Sequence, residues 1–258
     1  MRKNAALEKW RAGEPAYGAW LSVPSSLVAE AIAKQRYDYV TIDMQHGAID
    51  YQEAVHMLQA ISTSDATPIV RVPWNDFGII GKVLDAGAMG VVIPMVNSVE
   101  EARLAVSACR YFPDGARSFG PVRAGLYAGP DYYAHANEEV ACIPMIETRQ
   151  AYQAIDGILS VPGITAVYVG PADMSITLGL PPRMDNGGEF EEIRLGVVEA
   201  CARHGVFPGI HANASLAAKH AAAGYKMITI SSDMGLLGAG AAADLRLARG
   251  EQPVESRR

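Results

Sequence analysis

The stretch "VLDAGAMGVVIPMVNSVEE", from Val83 to Glu101, contains one complete repeat of the fold. A helical pattern ends near Gly87, where a left-handed C-cap is expected, and the apolar run "GVVIPMV" follows it. Ser98 then begins "SVEE", a capping box with Glu101 in its last position, which starts the next helix. Since the run is apolar on both faces and lies between two helices, it indicates a buried parallel strand.

The same alternation extends along the chain. Helical patterns with start signals separate most of the apolar runs, as in the capping box "DYQE" that begins at Asp50. We predict eight strands, at residues 16–23, 39–44, 68–72, 90–96, 140–146, 166–169, 206–210 and 226–230. Eight strand–helix units in about 250 residues predict a single (β/α)8 TIM barrel over residues 1–258. A doubly wound sheet is the alternative, but the first strand ends in "SVPSS", without the glycine-rich turn of a nucleotide-binding fold.

Two segments depart from this alternation. Residues 111–139 are aromatic and rich in Gly and Pro, which predicts a long loop that is functional or forms an interface. We expect Ser118, Phe119 and Arg123 of this loop to line the mouth of the barrel and to meet a substrate or a partner subunit. The residues after about 247 are polar and are predicted to be a frayed tail.

Composition and charge exclude several classes of function. Half of the 258 residues are apolar and the net charge is −6, which argues against a nucleic-acid partner and a basic membrane-surface protein. The three cysteines, Cys109, Cys142 and Cys201, are odd in number and far apart, so a reducing compartment is expected. The N-terminal sequence lacks the pattern of a signal peptide, and no apolar run is long enough to span a membrane. We therefore expect a cytoplasmic protein.

The polar residues at the predicted strand ends are the candidates for chemistry, because the active site of a (β/α)8 barrel lies where the strands end. Several of the predicted strands deliver such residues to one end of the barrel. They are Asp43, Gln45, His46, Arg71, Glu147, Asp173, His211, Asn213, Ser231, Ser232 and Asp233.

Glu147 and Asp173 follow consecutive strands and are the candidate metal ligands. Two carboxylates leave most of an octahedral coordination sphere to water and substrate, which suits Mg²⁺ or Mn²⁺. A zinc site is less well supported, because zinc prefers His and Cys ligands and none lie beside these acids. Either acid alone would more often be a group that anchors a helix or loop, but the two together favour a metal site.

Arg71 and His46 are the candidate catalytic residues. Arg71 follows an apolar run and would stabilise a developing oxyanion, or form a structural ion pair with Asp43, and both roles are compatible. His46 is the candidate for proton transfer, because the pKa of histidine lies near working pH, although a single strand-end histidine is more often structural. Asp85 either orients His46 or fixes the end of its own helix, and these alternatives are evenly balanced.

The segment "GPAD", Gly170 to Asp173, is a candidate anion site. Gly170 and Ala172 are small, and the N–H groups of Ala172 and Asp173 lie at the start of a helix, where backbone donors suit a substrate carboxylate. Pro171 has no N–H to offer. An ordinary strand-to-helix turn remains the alternative reading of this segment.

The ordered motifs "IDMQHGAIDY", "VRVPWND", "LDAGAMGVVIPMV", "MIET" and "VYVGPADMS" resemble those of the HpcH/HpaI family of metal-dependent class II pyruvate aldolases. They extend from Ile42 to about Ser175, and the flanking pattern continues the match over nearly the whole chain. The resemblance implies a (β/α)8 barrel of the phosphoenolpyruvate/pyruvate-binding type that exchanges its last helix with a neighbour. It also implies dimers that assemble into hexamers, as trimers of dimers.

The resemblance implies a reaction as well. Family members reversibly cleave 4-hydroxy-2-oxo acids to pyruvate or hydroxypyruvate and an aldehyde, through an enolate stabilised by a divalent cation, Mg²⁺ or Mn²⁺ with Co²⁺ as a further candidate, and without an organic cofactor. Consistently, no strand offers a lysine at its C-terminal end for a Schiff base. The residues that match the family's functional residues are Glu147 and Asp173 for the metal, Gly170, Pro171, Ala172 and Asp173 for the substrate carboxylate, Arg71 for the oxyanion, and His46 with Asp85 for proton transfer.

The sequence departs from the family at Gln45, where many members have Glu, and at Met145, where many have Gln. Gln45 removes a negative charge beside His46 but keeps an amide that can bind substrate. Two other functions remain open. One is a malyl- or citramalyl-CoA lyase, which would need a basic pocket for the CoA nucleotide that the strand ends do not offer. The other is a non-catalytic barrel that binds a 2-oxo acid.

Overall fold

The computed structural model describes residues 1–251 and contains eight parallel strands that close into a barrel in the order of the sequence. Each strand is followed by at least one helix. This confirms the predicted (β/α)8 barrel, with strand ends that move by a few residues at most. The strands are β1 (Ala16–Leu21), β2 (Tyr39–Asp43), β3 (Thr67–Arg71), β4 (Gly90–Ile93), β5 (Ala141–Ile146), β6 (Ala166–Val169), β7 (Phe207–His211) and β8 (Met227–Ser232).

The helices begin where the capping residues predict. Asp50, Ser98 and Thr148 each accept a hydrogen bond from a backbone N–H in the first turn of their helix. The helices are α1 (Ala5–Arg11), α2 (Ser26–Ala33), α3 (Tyr51–Ile61), α4 (Phe77–Asp85), α5 (Val99–Cys109), α6 (Val122–Ala128), α7 (Tyr132–Glu139), α8 (Arg149–Gln153), α9 (Ile155–Leu159), α10 (Pro171–Thr177), α11 (Glu189–His204), α12 (Ala217–Ala223) and α13 (Asp233–Ala248), with a 3-10 turn at Ala214–Leu216.

The two ends of the barrel differ in how they are closed. We call the end where the strands finish the mouth, and the end where they begin the base. At the base, Leu7 and Trp10 of α1 pack against the side chains that fill the barrel interior. A second and larger apolar layer lies between the strands and the surrounding helices. Because the base is covered, the mouth is the end at which a ligand can enter the barrel.

The segment 111–139 is not the continuous loop that its Gly and Pro content predicted. It contains α6 and α7, two short helices that no side chain caps, which explains why the capping pattern did not identify them. The segment joins the end of α5 to the start of β5, so it lies at the base end of the barrel. Arg123 donates to the carbonyl groups of Ala86 and Leu58 there. The prediction that Ser118, Phe119 and Arg123 line the mouth is therefore wrong within one chain.

Helix α13 contacts the barrel mainly through its first residues. Asp233 at its start is buried, whereas Met234, Leu237 and Leu247 are 59%, 56% and 80% exposed. Helix α13 continues to Ala248, and residues 252–258, which make up most of the predicted polar tail, lie outside the described part of the chain. Among residues 1–251, no helix combines the length and apolar character needed to cross a membrane.

Candidate active site

A cavity of about 290 Å³ opens at the mouth of the barrel. Most of the residues predicted from the strand ends meet there, and only Gln45 and Asp85 of the predicted catalytic and binding residues do not line it. The lining residues are Trp20, Ser22, His46, Arg71, Met145, Glu147, Tyr168, Gly170, Pro171, Ala172, Asp173, Met184, His211 and Ser232.

Arg71 and Asp43 form a bidentate ion pair at the floor of this cavity. The Arg71 Nε–H and Nη2–H groups donate to the two Asp43 carboxylate oxygens over 2.8 and 2.6 Å. Burial raises the pKa of Asp43, but the bonds from Arg71 and the Trp20 indole outweigh it, so the pKa is lowered. The carboxylate thus stays charged and fixes the guanidinium, whose carbon lies 4.8 Å from the centre of the Trp20 ring.

The turn after β2 is organised by the same carboxylate. The backbone N–H groups of Gln45 and His46 donate to Asp43 Oδ1 over 3.0 and 3.2 Å. Gly47 is required in this turn, since a Cβ would lie 2.3 Å from the Asp43 carbonyl oxygen. The His46 side chain is exposed at the cavity wall. The side-chain oxygen of Gln45 is buried and has no hydrogen-bond partner among residues 1–251.

Glu147 enters the cavity from the end of β5. Its Oε1 accepts a 2.7 Å hydrogen bond from the Met95 N–H. Burial raises the pKa of Glu147 to about 7, with a further contribution from the nearby negative charge of Asp173. Gly170 makes room for it, because a Cβ at that position would lie 2.6 Å from Glu147 Oε2.

Met95 is a positioning residue that the sequence did not identify. Its φ angle of 56° lies in the left-handed region, which a non-glycine residue rarely adopts. This conformation accompanies the N–H bond to Glu147 Oε1. The Asn97 amide donates to the Met95 carbonyl over 2.9 Å, and Thr148 donates its hydroxyl to Asn97. The apolar residues "IPMV" at positions 93–96 give no sequence pattern that would predict such a turn.

Glu147 and Asp173 fit a hard divalent cation. Both side chains supply oxygen ligands and face one cavity. Their mutual repulsion and the burial of Glu147 both destabilise the charged carboxylates, and a bound cation would offset both effects. Within residues 1–251, no cluster of three or more His, Cys, Asp or Glu side chains has the arrangement of a metal cage. The pair therefore suits an ion that takes its other ligands from water and substrate, such as Mg²⁺ or Mn²⁺, rather than a structural zinc.

The "GPAD" turn lies beside these acids at the start of α10. Gly170 is the N-cap residue, Pro171 occupies the first turn, and no side chain caps the helix in the described chain. Ala172 and Asp173 are exposed toward the cavity, and their N–H groups precede the first intrahelical hydrogen bond, from Met174. The turn therefore leaves two backbone N–H groups without an intrahelical acceptor beside the cavity.

Asp85 lies at the other end of the barrel. It is the last residue of α4, and the helix returns the chain from the mouth to the base before β4 begins. Its carboxylate accepts a 2.8 Å hydrogen bond from Arg117. The prediction that Asp85 orients His46 therefore fails within one chain, because helices of the barrel end at the base.

Two of the other strand-end candidates are structural. Asn213 caps the 3-10 turn by accepting from the Leu216 N–H. The Asp233 carboxylate accepts from the N–H groups of Ser22 and Val23 over 2.8–3.1 Å and so ties the end of β1 to α13.

Trp20, Tyr168 and His211 form an aromatic wall, of which only His211 was a candidate from the sequence. The Trp20 and Tyr168 rings are stacked with centres 5.6 Å apart, and the His211 ring meets Trp20 edge-on at 5.0 Å. Burial, with the positive charge of Arg71, lowers the pKa of His211 to about 4. Trp20 and Tyr168 lie inside apolar strands and look like core residues in the sequence, so the only available signal was the polar His211 at a strand end.

Comparisons with known proteins agree with the barrel fold. A family model described as HpcH/HpaI aldolase/citrate lyase matches residues 16–239. The chain is 42% identical over 237 residues to the hydroxypyruvate/pyruvate aldolase of Rhizorhabdus wittichii, covering 90% of this chain and 93% of the relative. It is 37% identical over 245 residues to the 4-hydroxy-2-oxo-heptane-1,7-dioate aldolase of Salmonella dublin, covering 93% of each. The crystal structure of an HpcH/HpaI aldolase/citrate lyase family protein from Burkholderia cenocepacia J2315 superposes with a TM-score of 0.89 at 32% identity, over 95% of this chain and 99% of that one.

Proposed function

The chain belongs to the HpcH/HpaI aldolase/citrate lyase family, and we propose that it is a metal-dependent class II aldolase. It reversibly cleaves 4-hydroxy-2-oxo acids to pyruvate or hydroxypyruvate and an aldehyde. Aldolase chemistry follows from the relatives at 42% and 37% identity. The observation that supports the metal-dependent form is the convergence of Glu147 and Asp173 with Arg71 in one cavity.

Glu147 and Asp173 are the residues that would hold the divalent cation, Mg²⁺ or Mn²⁺ with Co²⁺ as a further candidate. When bound, the cation supplies a Lewis acid that stabilises negative charge developing on the 2-oxo group. The protein prepares this site in two ways. The Met95 N–H fixes one oxygen of Glu147, and the missing side chain of Gly170 leaves space for the other.

The turn from Gly170 to Asp173 is proposed to bind the substrate carboxylate. The N–H groups of Ala172 and Asp173 donate to it, and Pro171 fixes the backbone so that these donors are preorganised. This places the 2-oxo acid between β5 and β6, directly beside the two acids that would hold the metal. No organic cofactor is required for this arrangement.

Arg71 is proposed to stabilise the oxyanion that develops when the carbon–carbon bond breaks or forms. Its Nε and Nη2 donate to Asp43. Its Nη1 makes no hydrogen bond within residues 1–251 and is accessible to the cavity. The guanidinium therefore keeps one donor for substrate. Because Asp43 holds it in place, the donor needs little reorganisation during the reaction.

His46 is proposed to transfer the proton. In the cleavage direction it removes the proton from the 4-hydroxyl group, and in the reverse direction it returns that proton to the new alkoxide. The backbone bond from His46 to Asp43 couples the position of the imidazole to that of Arg71. Gln45 does not line the cavity in one chain, so its proposed contact with substrate depends on a rotation of its side chain.

We propose that the protein is a homo-oligomer, a hexamer built as a trimer of dimers. The exposed apolar side chains of α13 support an exchange of this helix between neighbours. The position of Asp85 at the base means that its carboxylate can reach a His46 imidazole only in another copy of the chain. The three cysteines are free and buried, which supports the proposed cytoplasmic location.

The proposal is tested by reconstitution. Protein treated with EDTA is dialysed and supplied with Mg²⁺, Mn²⁺ or Co²⁺, and aldol formation is measured with pyruvate and hydroxypyruvate against a panel of aldehydes. We expect no turnover in EDTA and recovery with at least one of the three ions. Turnover that is undiminished by EDTA would refute the metal assignment, and absence of turnover with every pair would refute the aldolase assignment.

A further inference from the structure

A chain of hydrogen-bonded side chains crosses the barrel interior and ends at the cavity. The Tyr39 hydroxyl lies 3.1 Å from Thr229 Oγ1, which lies 2.5 Å from the Tyr168 hydroxyl. The Tyr168 hydroxyl lies 3.2 Å from Nδ1 of His211. Tyr39, Thr229 and Tyr168 are fully buried, and His211 lines the cavity. The chain thus connects the buried core to one face of the proposed substrate site.

The directions of these hydrogen bonds follow from the number of hydrogens. Each hydroxyl carries one hydrogen, and a buried hydrogen without an acceptor destabilises the fold. If Tyr39 donates to Thr229, Thr229 donates to Tyr168 and Tyr168 donates to His211, all three hydrogens have acceptors. If His211 donates to Tyr168 instead, only two hydrogen bonds remain among the three hydroxyl groups, and one of their three hydrogens has no acceptor in this series of side chains. Nδ1 of His211 is therefore an acceptor.

A neutral imidazole whose Nδ1 accepts must carry its hydrogen on Nε2. The low pKa of His211, caused by burial and by the Arg71 cation, keeps the ring neutral at working pH. Nε2 makes no hydrogen bond within residues 1–251 and is not buried, so it is open to the cavity that His211 lines. The edge-on contact with Trp20 and the bond from Tyr168 hold the ring in one orientation.

We propose that His211 is a substrate-binding residue that donates its Nε2–H to a neutral hydroxyl oxygen of the bound substrate. A neutral donor suits such an oxygen, because the charged carboxylate of the substrate has the α10 turn available to it and the developing oxyanion has Arg71. The hydroxyl is either the 3-hydroxyl of hydroxypyruvate or the 2-hydroxyl of an aldehyde. His211 thereby favours hydroxylated substrates over their unhydroxylated counterparts. This inference rests on the proposed aldolase function.

Kinetics with matched substrates test the proposal. Hydroxypyruvate is compared with pyruvate, and glycolaldehyde with propionaldehyde, in the wild type and in His211→Phe, which keeps a ring but removes the donor. We expect the kcat/KM ratio of hydroxylated to unhydroxylated substrate to fall about three- to tenfold in one of the two pairs, mainly through KM. His211→Gln, which retains an N–H donor, should restore part of that ratio. The pair that responds identifies which hydroxyl is bound, and an equal loss for all four substrates would overturn the proposal.

Nitrogen NMR of the histidine-labelled holoenzyme gives a readout that needs no turnover. We expect the His211 ring to be neutral with its hydrogen on Nε2 at neutral pH, and to populate both tautomers in Tyr168→Phe. Addition of the hydroxylated substrate should shift the Nε2 signal. A hydrogen on Nδ1, or a charged ring, would overturn the proposal. If no aldehyde is turned over but the tautomer is as described, the proposed function fails while the hydrogen-bond assignment stands.

Discussion

The mouth and the base of the barrel each contain a buried arginine paired with an aspartate. At the mouth Arg71 binds Asp43 over 2.6 and 2.8 Å, and at the base Arg117 binds Asp85 over 2.8 Å. Arg71 opens onto a cavity that is also lined by two carboxylates and two histidines. Arg117 instead lies against the rings of Tyr111 and Tyr132, with its guanidinium carbon 4.5 and 5.6 Å from their centres. The surroundings of an ion pair, and not the pair itself, distinguish a site from a structural contact.

The two pairs also differ in what they hold together. Asp43 accepts from the Trp20 indole and from two backbone N–H groups of the turn that carries His46, so the mouth pair organises groups that face the cavity. Arg117 donates to the Tyr132 hydroxyl and so fastens the segment with α6 and α7 to the end of α4. Substitutions at the mouth should therefore change turnover, and substitutions at the base should change stability.

The largest expected effect is at the mouth, in Glu147→Gln. The substitution removes one of two charges that would hold the cation, so we expect turnover to fall roughly a thousandfold, equivalent to about 4 kcal/mol of transition-state stabilisation. Stability should hardly change, because burial already disfavours the Glu147 charge. Turnover with Mg²⁺ and Mn²⁺ binding by EPR are the measurements, with the exposed Glu199→Gln as control. Unchanged Mn²⁺ affinity would contradict the ligand assignment.

At the base, Arg117→Met should destabilise the fold by about 3 kcal/mol. The value is at the low end for a buried pair, because the Asp85 side chain is 30% exposed and can be rehydrated. Urea unfolding measures the change, and the exposed Arg203→Met, whose ion pair with Asp156 is on the surface, is the matched control. We expect kcat per folded molecule to fall less than in a substitution at Arg71. If Arg117→Met lost no more stability than Arg203→Met, the ion pair at the base could not be the structural contact that this comparison assigns to it.

Arg71→Lys should reduce kcat about a hundredfold, or about 2.7 kcal/mol. Lysine keeps the charge but cannot bind Asp43 through two parallel N–H groups and still present a donor to substrate. The fall should appear in kcat more than in KM, because the lost interaction forms mainly with the oxyanion of the transition state. Steady-state kinetics give the split. A mutant that changes KM alone would show that Arg71 only binds the ground state.

The smallest expected effect is that of Gly170→Ala. Its Cβ would meet Glu147 Oε2 at 2.6 Å, so the carboxylate must move, and we expect roughly tenfold weaker metal binding. The backbone at Gly170 has a φ of −93°, so the effect is steric and not conformational. Gly187→Ala is the control, because a Cβ there meets nothing within 4 Å. Isothermal titration calorimetry with Mn²⁺ should show a lower affinity for Gly170→Ala than for Gly187→Ala. Equal Mn²⁺ affinities would contradict the assignment of Glu147 as a metal ligand.

The fold could be predicted from the sequence because each strand–helix unit carries its own local signals. Apolar runs mark the strands, and Asp50, Ser98 and Thr148 mark helix starts. The segment 111–139 lacks such signals, since α6 and α7 have no side-chain caps and are stabilised instead by packing against each other and against Tyr111. Tertiary contacts of this kind leave no local pattern.

The site was predicted only in part, for a related reason. Strand-end residues such as Glu147 and Arg71 meet because the topology brings all strand ends to one place. Asp85 does not reach the mouth within one chain, because it ends a helix, and helices end at the base. Trp20 and Tyr168 contribute through ring contacts, and Met95 through its backbone N–H. Neither kind of contact can be predicted from the apolar or aromatic character of a residue in the sequence.

The most direct test of the account is exchange of the C3 protons of pyruvate in deuterated buffer, followed by NMR. It reports proton removal from the 2-oxo acid without any assumption about the aldehyde. We predict exchange that requires Mg²⁺ or Mn²⁺, stops in EDTA and is lost in Glu147→Gln, but continues in Arg117→Met below its unfolding temperature. Exchange that proceeds equally with and without the metal, or that disappears in Arg117→Met but not in Glu147→Gln, would contradict the assignment of the mouth as the catalytic end.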